Sequence, residues 1–138
     1  MTDISSQRLE FWNSRSSLGM AAGSGDTNLK KLEINALQDC IKGASTILDA
    51  GCGNAYTLLQ LSAKCKAVSM YGFDYSEGMI QFGKNLLDEY HMTKNIKICQ
   101  GNLLSPPEQK LRELGSPAKG FDIIYTERSI INLNSLYT

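Results

Sequence analysis

Two closely spaced glycines after an apolar segment constrain the fold of this chain more than any other feature. The segment 46–50, apolar apart from Thr46 and Asp49, predicts a buried strand, and Gly51 and Gly53 come soon after it. Leucines at helical spacing then predict a helix over 54–63. Glycines between a strand and a helix permit backbone angles that other residues avoid, and they let a ligand approach the main chain closely. The amides at the start of the helix favour a negative group there.

The rest of the sequence alternates between strand and helix patterns. Strands are predicted at 46–50, 68–73, 96–99 and 121–125, and helices at 54–63, 76–90 and 106–114. Two more helices, at 6–17 and 28–41, flank a glycine-rich stretch, 19–27, which we expect to be a mobile connector or a loop that closes over a ligand. This alternation implies right-handed crossovers and a parallel sheet. We therefore predict an α/β fold, one half of a doubly wound parallel sheet preceded by N-terminal helices.

Apolar residues indicate which faces of the helices are buried. In the second helix they are Leu29, Leu32, Ala36, Leu37, Cys40 and Ile41. In the helix at 76–90 they are Met79, Phe82, Leu86 or Leu87, and Tyr90. Residues 26–28 offer caps for the start of the second helix, and Gly43 suits its end.

Composition excludes several classes of protein. The 138 residues, 42% of them hydrophobic, are enough for one core, and 14 acidic residues balance 14 basic ones. Without a basic run we expect no nucleic-acid partner, and without an apolar stretch of roughly 20 residues we expect no membrane span. The N-terminus has no apolar signal core, so we expect a cytoplasmic protein.

Cysteine spacing argues against a metal site. None of the four cysteines forms a CxxC pair, and His91 is the single histidine, which we interpret as a surface residue. We expect reduced, mostly buried thiols, with Cys65 in the most polar context.

Asp74 is the candidate for the carboxylate that is expected on the strand after a glycine turn of this kind. It lies 21 residues after Gly53 at the end of the second strand, near the roughly 20-residue offset of a carboxylate that accepts both ribose hydroxyls. Asp74 and Ser76 are also candidate helix caps. A dinucleotide fingerprint requires a third glycine where this chain has Tyr56. Asp49, just before the turn, suits a cationic group better than a pyrophosphate, which favours S-adenosylmethionine.

Four segments in order resemble the motifs of class I S-adenosylmethionine-dependent methyltransferases. LDAGCGNA is similar to their first motif, an acidic residue followed by glycines at alternate positions, and GFDYSEGMI resembles the second. QGNLL resembles the third and FDIIYTERSIINL the fourth. The four segments span 46–133 and are together specific for the superfamily, although not for any methyl acceptor. The resemblance implies a Rossmann-like fold, with 1–45 as a helical lid or cap and 46–138 as an incomplete core that binds the cofactor.

The resemblance also implies a role for each matching residue. Asp49, Gly51 and Gly53 frame the methionine part of the cofactor, and Asp74 holds the ribose. The remaining cofactor-binding positions are Tyr75 and Met79 beside the adenine ring, Asn102 at the adenine edge with Leu103 next to it, the carbonyl of Thr126 near the sulfonium or ammonium, and Arg15 toward the cofactor carboxylate. S-adenosylhomocysteine is then the product.

Two positions depart from the family pattern. The third glycine of the first motif is Ala55, which we expect to crowd the turn slightly. The third motif usually has Asp where this chain has Asn102, which still accepts from an amino group and can also donate to one.

Several of these residues have structural interpretations that stay open. Met79 matches the buried face of its helix, and Asn102 is a common turn residue. Arg15 is as readily solvated or structural, Trp12 suits an anchor for the first helix, and Glu127 pairs with Arg128 or another neighbour.

The sequence supplies four strands of the seven in the family sheet. Three explanations stay open: a recombinant piece, a shortened gene product, or one member of an assembly in which another chain, such as a second copy, covers the edge of the fourth strand. The main hypothesis is a methyltransferase, or its cofactor-binding part, acting on a small molecule. The alternatives are a non-catalytic nucleoside-binding or oligomerisation module and part of a nicotinamide oxidoreductase. No general base is evident from the sequence.

Overall fold

The computed structural model of the chain contains a four-stranded parallel sheet with helices on both faces. It describes residues 4–16, 26–65, 68–127 and 129. The strands are β1 Thr46–Ala50, β2 Ser69–Asp74, β3 Ile96–Gln100 and β4 Ile123–Tyr125. The helices are α1 Ile4–Arg15, α2 Thr27–Cys40, α3 Tyr56–Lys64, α4 Glu77–Glu89 and α5 Glu108–Glu113. Every predicted strand and helix is confirmed, with ends that move by about two residues. Nearly all of the predicted loop at 19–27 lies outside the described residues.

The order of the strands confirms half of a doubly wound sheet. Across the sheet they run β3-β2-β1-β4, and every neighbouring pair is parallel. The chain therefore moves outward from β1 through β2 to β3 and then crosses to the other side of β1 to form β4. This reversal makes the space beyond the ends of β1 and β4 a topological switch point, where open α/β sheets bind their ligands.

Two apolar layers, one on each face of the sheet, form the core. On one face, α2, α3 and α4 cover the strands with Ile34, Ile41, Leu58, Leu61, Ile80 and Leu87 packed on Ile47, Met70, Ile96 and Ile98. On the other face, α5 contributes Leu111 against Leu48, Ala50, Tyr71, Phe73 and Cys99. Successive residues of β1 alternate between the two layers, as the pleat of a strand requires.

The predicted buried face of α2 is largely wrong. The helix buries Ile34, half-buries Leu37 and is followed by the buried Ile41, whereas Leu29 is 39% exposed and Leu32 is 65% exposed. Ala36 and Cys40 are exposed as well. Both sets of residues recur at helical spacing, so periodicity alone could not select between the two stripes.

The ends of the helices are fixed by local side chains. Asp26 caps α2 by accepting from the amide of Leu29 at 2.9 Å, and Ser76 caps α4 by accepting from Met79 at 3.1 Å. Of the two candidate caps beside α4, Ser76 is therefore the cap and Asp74 is not. The second helix, predicted to end at about residue 41, ends at Cys40, and Gly43 lies in the following turn with φ +82°, as suits a residue that stops a helix. Tyr90, predicted on the buried face, follows α4 and is 58% exposed.

The four thiols are free, and their burial differs in part from expectation. Cys52 and Cys99 are buried and Cys65 is half-buried, but Cys40 is exposed because it belongs to the outer stripe of α2. His91 is exposed, as predicted.

Gly83 of α4 sets the distance between that helix and the glycine turn after β1. A Cβ added there would lie 2.9 Å from Cδ1 of Ile98 and 3.0 Å from the carbonyl oxygen of Asn54. We expect Gly83→Ala to destabilise the chain by about 1–3 kcal/mol in thermal or urea unfolding, because overpacking outweighs the better helix propensity of alanine. Lys84→Ala, on the exposed side, is the control and should stay within about 0.5 kcal/mol of wild type. A Gly83→Ala chain more stable than wild type would contradict this packing.

The outer side of β4 has no strand partner among the described residues, and its Ile124 is 61% exposed. Within the same residues, no helix has the length and apolar character needed to cross a bilayer.

Candidate functional site

The glycine turn lies at the switch point and folds back against β2. The amides of Gly51 and Cys52 both donate to the carbonyl of Phe73, at 2.8 and 2.9 Å. Gly51 and Gly53 have φ of +89° and +57°, in the left-handed region that favours glycine. The hydroxyl of Ser129 donates to the carbonyl of Gly51 at 3.1 Å and lies where a side chain on Gly51 would be. Both glycines are therefore required by the backbone.

The structure shows that alanine at position 55 is unfavourable because of its backbone conformation, which the sequence did not indicate. It is fully buried and has φ +64°, so the residue at this position adopts a left-handed conformation. For a residue with a Cβ this conformation costs roughly 1–2 kcal/mol. The departure from glycine therefore costs backbone strain, and the crowding expected from the sequence stays a prediction.

Asp49 is a buried carboxyl group at the end of β1. Only 2% of the residue is exposed, and its Oδ2 accepts from the hydroxyl of Tyr125 at 3.0 Å. Its Oδ1 is buried and has no hydrogen-bond partner among the described residues. Burial raises the pKa of Asp49 to about 7, against the lowering effect of the Tyr125 hydroxyl, and nearby Glu127 raises it further. The site therefore contains a buried carboxyl group with one oxygen, Oδ1, that no donor among the described residues satisfies.

Tyr125 reaches Asp49 because β1 and β4 are neighbours. The two residues are directly paired in the register of the sheet. Burial and the adjacent Asp49 raise the pKa of the Tyr125 phenol well above its usual value, so the hydroxyl stays protonated and donates. Sequence reasoning missed this partner, because it requires β1 and β4 to be neighbours in the sheet.

Asp74 ends β2, one strand away from the glycine turn. Burial raises the pKa of Asp74 to about 6, and hydrogen bonding from the nearby backbone N–H groups of Ser76 and Tyr75 opposes the rise. Tyr75, next in the chain, is 46% exposed. The structure thus brings Asp74 and the glycine turn to the same edge of the sheet, with the exposed Tyr75 next to Asp74 in the chain.

Met79, Asn102 and Leu103 have local contacts of their own. Met79 is only 2% exposed, in agreement with its interpretation as a buried residue. Asn102 is exposed, and its Oδ1 accepts from the backbone amide of Leu104 at 2.9 Å. This hydrogen bond forms an Asx-turn. Leu103 is half-buried against the core layer under α5.

The segment after β4 is held by an ion pair that the sequence did not indicate. Lys30 of α2 donates to Oε1 of Glu127, and Oε2 of Glu127 accepts from the Thr57 hydroxyl at 3.3 Å. The predicted alternative partner, Arg128, lies outside the described residues. Thr126, next to Glu127, is exposed at the end of β4.

Arg15 ends α1, and its guanidinium lies 5.3 Å from the centre of the Phe11 ring. Trp12 is half-buried and meets Phe11 edge to face. The same helix and the residue after it are hydrogen-bonded to the start of α4 and to the glycine turn. Asn13 accepts from the amide of Gly78 at 2.9 Å, and the carbonyl of Ser16 accepts from Asn54 in the glycine turn at 3.3 Å. Sequence reasoning also missed Asn13, because no local pattern marks it.

Comparisons with known proteins agree with this geometry. A family model described as a methyltransferase domain matches residues 41–136, which is more than half of the chain. Ribosomal protein L11 methyltransferase of Streptococcus agalactiae serotype V is 28% identical over 93 residues, 67% of this chain and 29% of that protein. The chain thus spans less than a third of the length of this relative.

Solved structures share the fold at low identity. A geranyl diphosphate C-methyltransferase from Streptomyces coelicolor A3(2), in complex with Mg²⁺, geranyl diphosphate and S-adenosyl-L-homocysteine, superposes with a TM-score of 0.63 at 17% identity, over 77% of this chain and 38% of that one. The [4+2]-cyclase SpnF also gives 0.63 at 17% identity, over 76% and 36%. At these identities the two structures establish the fold alone. Together with the family match and the glycine turn at the switch point, they lead to one conclusion: the chain belongs to the class I S-adenosylmethionine-dependent methyltransferase family.

Proposed function

We propose that the chain binds S-adenosylmethionine across the ends of β1 and β2 and is the cofactor-binding part of a methyltransferase that acts on a small molecule. The observation that carries the proposal is Oδ1 of Asp49, a buried oxygen with no hydrogen-bond partner among the described residues. A buried acceptor of this kind is costly unless a ligand satisfies it. The ammonium of the methionine tail is such a ligand, whereas a pyrophosphate would be repelled.

The glycine turn supports the same end of the cofactor. Gly51 and Gly53 leave their backbone open to close approach, and the carbonyl of Gly51, which accepts from Ser129, can accept equally from an ammonium. In this proposal Thr126 contributes its carbonyl nearby, and Arg15 approaches the cofactor carboxylate from the N-terminal segment, 1–45, which acts as a lid over the core, 46–138.

The ribose and the adenine belong to the next strands in this proposal. The carboxylate of Asp74, close to the backbone N–H groups of Ser76 and Tyr75, has acceptor capacity for the ribose hydroxyls. The exposed ring of Tyr75 offers a surface for adenine, and Asn102, with Leu103 beside it, offers an amide for the adenine edge. Met79 is buried, so we assign it the floor of this pocket and not a stacking face.

The chemistry requires little from the protein beyond alignment. When bound, S-adenosylmethionine supplies an electrophilic methyl group on its sulfonium. The residues of this chain would bind and orient it and exclude water from the switch point, which is how a protein assists an in-line displacement. The even balance of charge and the lack of a basic run in the sequence support a small-molecule acceptor over a nucleic acid. Four free thiols support a cytoplasmic location.

A second candidate is a non-catalytic module that binds the nucleoside or forms oligomers through β4. The similar fold of the [4+2]-cyclase SpnF supports it, because that fold is not restricted to methyl transfer. The exposed Ile124 on the unpaired side of β4 is the surface that a second copy would cover.

Isothermal titration of the 138-residue chain with S-adenosylmethionine, S-adenosylhomocysteine and NAD tests the main proposal. We expect binding of the first two and weaker or absent binding of NAD, because Tyr56 stands where a dinucleotide fingerprint has glycine. No heat with either sulfur nucleoside at millimolar concentration, or tighter binding of NAD, would contradict it. Binding without turnover of any acceptor would favour the second candidate.

A further inference from the structure

The start of α4 is held by a side chain from the far N-terminal helix. Oδ1 of Asn13 accepts from the hydroxyl of Ser76 and, at 2.9 Å, from the amide of Gly78. Ser76 is 2% exposed and is itself the cap of α4, accepting from Met79 at 3.1 Å. One acceptor on α1 therefore satisfies two donors in the first turn of α4.

The fit between the two helices depends on Gly78. A Cβ added to Gly78 would lie 2.9 Å from Oδ1 of Asn13 and 3.1 Å from its Cα. The backbones of α1 and α4 therefore approach closely at this point. The backbone N–H of Gly78 and the short side chain of Ser76 have little reach, so both hydrogen bonds require α1 to stay docked against α4.

Asn13 holds a residue that lies very close to Asp74 in the chain. Ser76, whose hydroxyl donates to Asn13, lies two positions after Asp74, the last residue of β2. The backbone N–H groups of Ser76 and Tyr75 also favour the ionised form of the Asp74 carboxyl group. Asn13 therefore fixes the backbone that carries this carboxyl group.

The other end of the contact lies on the glycine turn. Asn54, which is 5% exposed, donates from Nδ2 to the carbonyl of Ser16, just after α1. The docked α1 therefore contacts both the glycine turn, to which the proposed function assigns the methionine tail, and the start of α4, which follows the residue assigned to the ribose.

We infer that Asn13 is a positioning residue for the ribose site: it fixes Ser76 and thereby Asp74, so that docking of α1 and binding of the nucleoside stabilise each other. This inference rests on the proposed function. Because coupling between two equilibria is reciprocal, a change that undocks α1 must weaken the nucleoside, and the nucleoside must favour the docked helix.

The test compares Asn13→Ala with two matched variants by titration with S-adenosylhomocysteine. We expect Asn13→Ala to weaken binding about tenfold, since two donors in a buried turn lose their acceptor. Asn13→Asp retains an acceptor at the start of a helix and should restore binding to within a factor of about three. Ser14→Ala, on the exposed side of the same helix, should bind as wild type does.

The single tryptophan provides a second readout, which reports the docking of α1 and not the binding of the ligand. Trp12 adjoins Asn13 and is half-buried, so iodide quenching of its fluorescence reports docking of α1. We expect more quenching in Asn13→Ala than in wild type, and less quenching in both chains when S-adenosylhomocysteine is added.

The outcomes separate the inference from the proposed function. Wild-type affinity in Asn13→Ala, or weakened affinity with unchanged Trp12 quenching, would overturn the positioning role while the cofactor site stands. Absence of S-adenosylhomocysteine binding by the wild-type chain would instead contradict the proposed function and, with it, the inference.

Discussion

Asp49→Asn is expected to weaken S-adenosylhomocysteine binding about a hundredfold, because the variant removes the negative charge opposite the ammonium of the ligand. The amide has nearly the same shape as the carboxyl group and can still accept from the Tyr125 hydroxyl. Isothermal titration measures the change. Adenosine, which lacks the amino-acid tail, should bind Asp49→Asn and wild type equally well. A variant that binds S-adenosylhomocysteine as tightly as wild type would contradict the role of Asp49.

The same substitution should stabilise the chain in the absence of ligand. Burial raises the pKa of Asp49 from 3.8 to about 7, so folding opposes ionisation of this group. The contribution of Asp49 to the free energy of unfolding is therefore largest below pH 4, where the group is protonated in both states. That contribution is lost as the pH rises to about 7. Asparagine does not ionise, so the gain in Asp49→Asn should approach about 4 kcal/mol at pH 8 as an upper limit.

Asp122→Asn supplies a control of opposite sign. Asp122 is exposed, and its carboxylate accepts from the amides of Ser45 and Thr46, which lower its pKa. A carboxyl group with a lowered pKa stabilises the fold above its unfolded pKa and loses that contribution as the pH falls. Urea unfolding at pH 8 should therefore show a gain for Asp49→Asn and a loss for Asp122→Asn. A loss in both variants would mean that the Asp49 carboxylate is satisfied within the protein.

Cofactor affinity should depend on pH in the direction that these pKa values dictate. The ammonium needs ionised Asp49, whose pKa in the unliganded chain is about 7, so affinity should fall as the pH drops below that value. Protonation of Asp74, with a pKa of about 6, should add a second decline. The slope is at most about tenfold per pH unit for each group. Asp49→Asn should lack the first decline and keep the second.

Asp74→Ala is expected to weaken both S-adenosylhomocysteine and adenosine by about a hundredfold, since a charged acceptor for two ribose hydroxyls disappears. The crossed pattern is the important result: Asp49→Asn affects only the ligand with an amino-acid tail, whereas Asp74→Ala affects both. Asp88→Ala, an exposed acid on α4, is the matched control and should leave both affinities unchanged. Equal loss of the two ligands in Asp49→Asn, or no loss of adenosine in Asp74→Ala, would contradict the assignment of the two ends.

Those parts of the fold that depend on short-range pattern could be predicted from the sequence. The strand over 46–50, the glycine turn and the position of Asp74 follow from residues within one strand–turn–helix unit, where propensity and backbone geometry act locally. The buried stripe of α2 could not be predicted, because two apolar stripes with the same period compete and only the packing of α3 and the sheet selects one.

Contacts between residues far apart in the chain also could not be predicted from local sequence patterns. Tyr125 meets Asp49 through the register of β1 and β4, and Lys30 meets Glu127 across 97 positions of the chain. Asn13 is one polar residue among several in α1, and its role depends on how closely that helix approaches Gly78. Such partners become visible only when the sheet order and the helix positions are known.

The most direct measurement is a crystal structure of the chain grown with S-adenosylhomocysteine. We expect both ribose hydroxyls within hydrogen-bond distance of the Asp74 carboxylate and the ammonium of the tail against Asp49 and the carbonyl of Gly51. A nucleoside bound elsewhere, or bound with Asp74 turned away from its ribose, would contradict the account.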